Sequence, residues 1–326
     1  MRRRRIQRKK RIIRLFLLLM TIICILSFVV SKYAVDQKGQ QKTIATVSSD
    51  EDSVVILPSP TLANGEQESL LLQQAVANAL VGTKGNYGIA IKHLDTHEYY
   101  FSNEQRVYKT GSLYKLWIMG TTFEQIQKGK LHESDVLTQN LAKLREKFHV
   151  ATESGEPKDQ KLTMTVGEAL EKMITVSDNY AAWLLTEKVG LSKVSVYLQR
   201  NGFTHSKIGT ADGYPVTTAF DVMLFFEKLS KGELADQSST EKMITLLKRQ
   251  RLNTKLPKYL PDNVAIAHKT GELEPFTHDA GIVYTSKGSY IIVVLSESTS
   301  RYQAEDRIAD ISKAAYIHFM KETLTP

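Results

Sequence analysis

A serine and a lysine three residues apart are the first candidates for chemistry in this sequence. Ser112 and Lys115 lie in KTGSLYKLWIMG, residues 109–120, which continues as an apolar, helix-compatible run. On a helix this spacing puts both side chains on one face, one turn apart. A lysine whose pKa is lowered by burial can take the serine proton and so create a nucleophile. A helix-capping serine beside a solvated lysine has the same pattern.

The spacing alone does not decide between these readings, because Ser239 and Lys242 repeat it in the polar stretch STEK. A second motif, SDN, precedes the apolar helix YAAWLLTEKV. Its Ser177 could carry a proton to a leaving amine, and its Asn179 could hold a substrate amide. The alternative is helix capping, for which serine and aspartate are well suited.

A third motif, HKTG at residues 268–271, ends the apolar strand VAIA. Lys269 offers a cation, Thr270 a hydroxyl group and Gly271 a bare backbone. These groups suit a substrate carboxylate and an extended peptide. A strand that runs into a glycine turn would have the same sequence.

Taken together and in this order, the three motifs resemble those of class A β-lactamases and penicillin-binding serine acyl-transferases. The resemblance covers roughly residues 70–322 and includes the segments THDAGIVY and VTTAFDVMLFFEKL. It implies that Ser112 is the acylated nucleophile and Lys115 its general base. It also implies that Ser177 relays a proton to the leaving nitrogen, with Lys269 tuning it.

The same resemblance implies a set of substrate-binding residues: Asn179, Thr270, Gly271 and Leu273. Asn179 would bind the acyl side-chain amide, while Thr270 and Lys269 would meet the ligand carboxylate. The backbone N–H groups of Ser112 and Leu273 would form the oxyanion hole. No metal site and no cofactor are expected, because the histidines are scattered and no H-E-x-x-H or glycine-rich phosphate loop occurs.

The sequence departs from the family pattern where the deacylating glutamate is expected. Residues 201–220, NGFTHSKIGTADGYPVTTAF, contain no glutamate. Glu187 and Glu227 are the nearest ones, and both fall inside predicted helices. Asp212 is the only carboxylate in the loop and is a candidate base for deacylation, although an ADG turn explains it as well. The protein is therefore expected either to hold β-lactams as stable adducts or to hydrolyse them slowly.

The elements that must position these motifs predict an α+β fold. The helix LLLQQAVANALVG and the hairpin strands YGIAIKHL and EYYFS come first. A helical middle follows, made of TTFEQIQKG, ESDVLTQNLAKLREKF, TVGEALEKMITV, NYAAWLLTEKVG, SKVSVYLQRNG, AFDVMLFFEKLSKG and STEKMITLLKRQ. The strands NVAIAHKTG, AGIVYTSKG and SYIIVVLSES and the helix RIADISKAAYIHFMKETL end the chain. We expect one mostly antiparallel sheet built from both chain ends, with a helical lobe beside it.

The net charge of +8 is concentrated at the N-terminus. Residues 1–14 hold nine Lys or Arg, so the remainder carries 8 − 9 = −1 and no nucleic-acid partner is expected. Residues 15–31 form an apolar run, which predicts a membrane anchor with its basic head inside. A cleaved signal peptide is the alternative. Residues 32–68 are a polar linker, and 69–326 form the domain.

The charge pattern predicts a membrane-bound, extracytoplasmic protein, and the family resemblance implies a serine hydrolase that hydrolyses β-lactam amides through an acyl-enzyme. A D-alanyl-D-alanine carboxypeptidase or penicillin-binding protein acting on peptidoglycan is the alternative, and the absent glutamate favours it. A non-catalytic muropeptide-binding module is the second alternative. The expected partners are a β-lactam or a D-Ala-terminated peptide and the membrane. The protein is expected to be a monomer, and secretion after signal cleavage is the alternative location.

Overall fold

The computed structural model describes residues 67–148, 160–209 and 213–321 of the 326. The predicted basic head, the predicted anchor at 15–31 and nearly all of the linker lie outside these residues. Within the described ranges, no helix is both long and apolar enough to cross a membrane.

A six-stranded sheet forms the centre of the domain. Its strands are β1 (Gln67–Glu68), β2 (Asn86–His93), β3 (Glu98–Ser102), β8 (Ala265–Leu273), β9 (Phe276–Thr285) and β10 (Gly288–Glu297), in the order β1-β3-β2-β10-β9-β8. The short β1 pairs in parallel with β3, and the other pairs are antiparallel. The predicted sheet from both chain ends is confirmed, and β8, which carries the third motif, is an edge strand.

Helices cover both faces of this sheet. They are α1 (Leu70–Ala79), α2 (Lys115–Gln127), α3 (Leu141–Lys147), α4 (Val166–Thr175), α5 (Asn179–Val189), α6 (Leu191–Arg200), α7 (Ala219–Ser230), α8 (Gln237–Lys248) and α9 (Arg301–Met320). Along β10, Ile291, Val293 and Leu295 pack towards the helical lobe, whereas Ile292 and Val294 pack towards α1 and α9. The strand is therefore apolar without alternation, because both of its faces are buried.

The middle of the chain contains four short strands that we did not predict. They are β4 (Tyr108–Lys109), β5 (Val136–Asn140), β6 (Lys161–Thr165) and β7 (Val216–Thr217), paired as β4 with β7 and β5 with β6. The prediction of one helix over residues 133–148 is wrong in its first half. There, Leu137 faces Met164 across the β5–β6 pair and both are buried. The helix begins only after Asn140, whose side chain accepts from the Lys143 N–H.

Candidate active site

Ser112 lies on a short 3₁₀ turn, Gly111–Tyr114, that leads directly into α2. This turn packs against β8 with almost no space between the two backbones. A Cβ on Gly271 would lie 2.5 Å from the Thr110 carbonyl oxygen, and a Cβ on Gly111 would collide with the backbone of Glu272. Gly111 also has a φ of +50°. Glycine is therefore required on both sides of the contact that sets Ser112 beside the third motif.

Lys115, the first residue of α2, is fully buried. Its Nζ donates to the Ser177 carbonyl oxygen at 2.6 Å, to Ser177 Oγ at 3.2 Å and to Asn179 Oδ1 at 2.8 Å. Burial lowers the pKa of Lys115 to about 7, although the nearby Asp178 carboxylate raises it. A substantial fraction of this lysine is thus a neutral amine at neutral pH, and a neutral amine can accept a proton.

Ser177 connects the second motif to both lysines. Its Oγ accepts from Lys269 Nζ at 2.9 Å as well as from Lys115. Its backbone has a φ of +59°, an uncommon value for a residue with a side chain. The next residue, Asp178, caps α5 by accepting from the Ala181 N–H at 2.8 Å. The unusual φ and the helix cap hold the serine between the two amines.

Lys269 lies on β8 and is fully buried. Besides Ser177, its Nζ donates to the Thr270 carbonyl oxygen at 2.9 Å. Burial and then the charge of Lys115 lower the pKa of Lys269 well below its ordinary value. Lys115 and Lys269 both bind the Ser177 hydroxyl group. Two buried positive charges this close repel each other, so the state in which at least one of the amines is neutral is favoured. Thr270 itself is buried, whereas Asn179 is exposed.

The second serine–lysine pair provides an internal comparison. Ser239 and Lys242 lie on α8, where 51% of the Lys242 side chain is exposed and its Nζ forms an ion pair with Glu133. Lys242 is therefore neither buried nor in contact with Ser177, unlike Lys115. The same three-residue spacing thus lies in a solvated environment at Ser239 and in a buried one at Lys115.

The end of β8 carries Leu273, which we predicted as an oxyanion donor. Leu273 pairs with Phe276 at the tip of the β8–β9 hairpin, while the backbone nitrogen of Glu272 lies against Gly111. The β8 residue whose backbone lies against Gly111, the residue before Ser112, is therefore Glu272. Its side chain binds Lys255, which is fully buried, at 2.8 Å, and it also pairs with Arg301 at the start of α9. The sequence pattern gave no sign of this ion-pair group.

A buried histidine holds the short strand that precedes the Ser112 turn. His278 on β9 donates from Nε2 to the Lys109 carbonyl oxygen at 2.8 Å, and its Nδ1 accepts from the Ser296 N–H at 3.1 Å. Burial lowers the pKa of His278 to about 4, so the ring is neutral at physiological pH. It lies in the core rather than on the cleft, and it fixes the strand that precedes Ser112.

The two glutamates nearest to the loop in the sequence, Glu187 and Glu227, are both held in ion pairs. Glu187 lies on α5 in an ion pair with Lys147. Glu227 lies on α7, where Lys92 and Lys231 both bind it. Asp212 falls outside the described residues. The structure thus brings Lys115, Ser177 and Lys269 together and packs the Ser112 turn against β8, while the roles of these residues and the deacylation base stay predictions.

Comparisons with known proteins identify the family of this chain. The family model described as "Beta-lactamase enzyme family" matches residues 71–319. The extended-spectrum β-lactamase PER-1 of Pseudomonas aeruginosa is 22% identical over 293 residues, which cover 83% of this chain and 94% of that protein.

Two solved structures are similar across the domain. The structure of PBP-A has a TM-score of 0.69 at 23% identity and covers 78% of this chain and 97% of its own. A β-lactamase from Sphaerobacter thermophilus DSM 20745 has a TM-score of 0.68 at 24% identity, with coverage of 76% and 95%. A PBP-A mutant in an acyl-enzyme complex with penicillin G is similar too, at 24% identity and a TM-score of 0.68, with coverage of 78% and 98%.

Proposed function

The chain belongs to the β-lactamase enzyme family and is a serine hydrolase, and from that premise we propose that β-lactams acylate Ser112. The observation that carries the proposal is the buried Lys115 amine, one turn from Ser112 and bonded to Ser177. In the neutral form this amine takes the Ser112 proton while Ser112 Oγ attacks the lactam carbonyl carbon.

The lactam C–N bond then breaks, and Ser177 gives its hydroxyl proton to the leaving nitrogen. Lys115 returns the proton that it took, which restores Ser177 and the neutral amine. We assign the two oxyanion donors to the backbone N–H groups of Ser112 and Glu272, because Glu272 rather than Leu273 lies against the turn. Lys269 and Thr270 receive the ligand carboxylate, and Asn179 binds the acyl side-chain amide.

Hydrolysis of the acyl-enzyme is the slow step in this proposal. The loop at 201–220 lacks a glutamate, and Glu187 and Glu227 are held in ion pairs. Asp212 is the remaining candidate for the base that activates water. We therefore propose β-lactam hydrolysis with a long-lived acyl-enzyme as the leading activity.

A D-alanyl-D-alanine carboxypeptidase that β-lactams inhibit is the second candidate. The absent loop glutamate favours it, and the similar PBP-A fold with penicillin G bound covalently supports it. A pure muropeptide-binding module has no use for a buried lysine with a lowered pKa beside a serine, so this alternative is the weakest of the three.

Intact mass spectrometry over time after addition of benzylpenicillin tests the proposal. The expected adduct has the full mass of the ligand, because ring opening removes no atom. Ser112→Ala must abolish it, whereas Ser239→Ala, which changes the solvated serine–lysine pair, must not. Accumulation of hydrolysed penicillin with a decaying adduct supports the hydrolase, and a permanent adduct supports the peptidase. An adduct that persists in Ser112→Ala contradicts the assignment of the nucleophile.

We also propose that residues 15–31 anchor the protein in the membrane, with residues 1–14 inside and the hydrolase domain outside as a monomer. The uncharged run and the nine basic residues before it support this orientation. Fractionation of cells followed by mass analysis of the N-terminus tests it. An intact N-terminus in the membrane fraction is expected, and a mature chain that starts near residue 32 would show a cleaved signal instead.

A further inference from the structure

The carboxylate of Glu272 lies between two cations that come from different parts of the chain. Its Oε1 accepts from Lys255 Nζ at 2.8 Å, and its Oε2 forms an ion pair with Arg301 at the start of α9. Arg301 Nε also donates to Glu305 Oε1 at 2.8 Å, and Lys255 Nζ lies 4.0 Å from the same oxygen. These four side chains, which we call the Glu272 ion-pair group, alternate in charge around a closed cycle and together carry no net charge.

Lys255 gives this group a fixed position. Its side chain is fully buried, and so is the next residue, Leu256. The Leu256 N–H donates to Asp279 Oδ2 on β9 at 3.1 Å, and the Leu256 carbonyl oxygen accepts from Ser312 Oγ on α9 at 2.8 Å. A buried charge is strongly unfavourable without its partner, so Lys255 holds the Glu272 carboxylate close. The side chain of Glu272 is therefore attached at a point that the sheet and α9 keep in place.

The backbone of the same residue packs against the nucleophile turn. A Cβ on Gly111 would lie 2.4 Å from the Glu272 nitrogen. β8 pairs with β9 on one side, and no other described strand pairs with its outer side. The strand also turns back just after Leu273, which pairs with Phe276. At this end of an edge strand, the side-chain attachment of Glu272 adds a constraint that the ladder of strand hydrogen bonds does not supply.

We propose that the Glu272 ion-pair group positions the Glu272 N–H to stabilise the oxyanion, so that Glu272 is a positioning residue through its side chain. This inference rests on the proposed function, in which that N–H and the N–H of Ser112 receive the oxyanion. An oxyanion donor acts on charge that develops in the transition state. Its displacement therefore slows acylation while binding of the intact ligand stays nearly the same, and a shift of about 1 Å can cost about 100-fold in rate.

Mass spectrometry of quenched samples of the full chain, over a range of benzylpenicillin concentrations, tests the proposal. It gives the limiting rate constant of acylation and the concentration of half-saturation. Glu272→Gln should lower the rate constant at least about tenfold and change the half-saturating concentration by less than about twofold. The matched control is Asp306→Asn, which removes the ion pair of α9 with Lys258. That pair joins α9 to the segment before β8 but includes no residue of β8, so the rate constant should not change.

Arg301→Met removes the more exposed of the two attachments. It should lower the rate constant severalfold with little change in melting temperature, because an exposed ion pair contributes little to stability. Arg301→Lys keeps the positive charge and should retain most of the rate.

The double variant Glu272→Gln with Lys255→Met separates positioning from stability. It removes the buried charge together with its partner, so the melting temperature should recover from the loss in Glu272→Gln. The rate constant should stay low, because the side chain at position 272 is still not attached to Lys255. Recovery of the rate together with the melting temperature, or a wild-type rate in Glu272→Gln, would overturn the positioning role alone. A wild type that forms no adduct would contradict the proposed function itself, and this inference with it.

Discussion

Replacement of Lys115 by methionine tests the buried amine that the proposed chemistry needs. Burial lowers the pKa of Lys115 from 10.5 to about 7 in the folded protein, whereas the unfolded chain keeps the ordinary value. At about 1.4 kcal/mol per pKa unit, the folded protein loses roughly 5 kcal/mol when this lysine is charged. Between pH 7 and 10.5 the unfolded chain binds a proton that the folded protein does not. The wild type therefore gains stability as the pH rises through this range.

Methionine carries no charge, so Lys115→Met lacks this gain. The difference in unfolding free energy, variant minus wild type, should decrease by roughly 2–3 kcal/mol between pH 6 and pH 9. The hydrogen bonds lost at Ser177 and Asn179 are absent at both pH values, so they largely cancel in this comparison. Urea denaturation at the two pH values measures it, and Lys242→Met is the matched control because that lysine is solvated and paired. A difference that does not change with pH would refute a neutral Lys115 and with it the proposed base.

Three further predictions follow from the geometry. The rate constant for acylation by benzylpenicillin should rise with pH and reach half of its maximum near pH 7, because the pKa of Lys115 is about 7. Mass spectrometry of quenched samples measures this rate constant, and a value that does not change with pH would contradict the prediction. Gly271→Ala should slow acylation by about 100-fold or more and lower the melting temperature, because its Cβ would lie 2.5 Å from the Thr110 carbonyl oxygen. The control Gly209→Ala, whose Cβ would have no neighbour within 4 Å, should change neither the rate nor the melting temperature. Glu272→Gln should destabilise the protein by roughly 2–3 kcal/mol because buried Lys255 loses its closest carboxylate. Adding Lys255→Met should restore much of that loss in thermal denaturation, and no recovery in the double variant would show that the pair is not the cause.

The sequence was sufficient to predict the residues that converge. Ser112 and Lys115 are neighbours by local helical spacing, and Ser177 and Lys269 come from two other short motifs. Their meeting point depends on a sheet assembled from both chain ends, which the order of predicted helices and strands indicated. The absence of a glutamate from residues 201–220 could also be read from the sequence, because it depends only on which residues the loop contains.

Other features depend on pairing between distant segments and could not be predicted locally. The choice between Glu272 and Leu273 is set by how β8 packs against the turn at Gly111, a contact between segments that are distant in the sequence. The strand in residues 136–140 exists because a second short strand, Lys161–Thr165, pairs with it. The ion pair of Lys255 with Glu272 joins residues that the sequence separates by a turn and a strand.

The assembly of the sheet from both chain ends determines when the site forms during folding. Ser112 and Lys115 are synthesised long before β8, and their environment depends on Ser177 and Lys269, which arrive later. Contacts between such distant segments are slow to form, because a long loop must close before they contribute. Until those strands have formed, the serine–lysine pair is consequently an ordinary, solvated pair like Ser239 and Lys242. Acylation by a β-lactam would thus report that the last three strands are in place, which makes it a measure of complete folding as well as of activity.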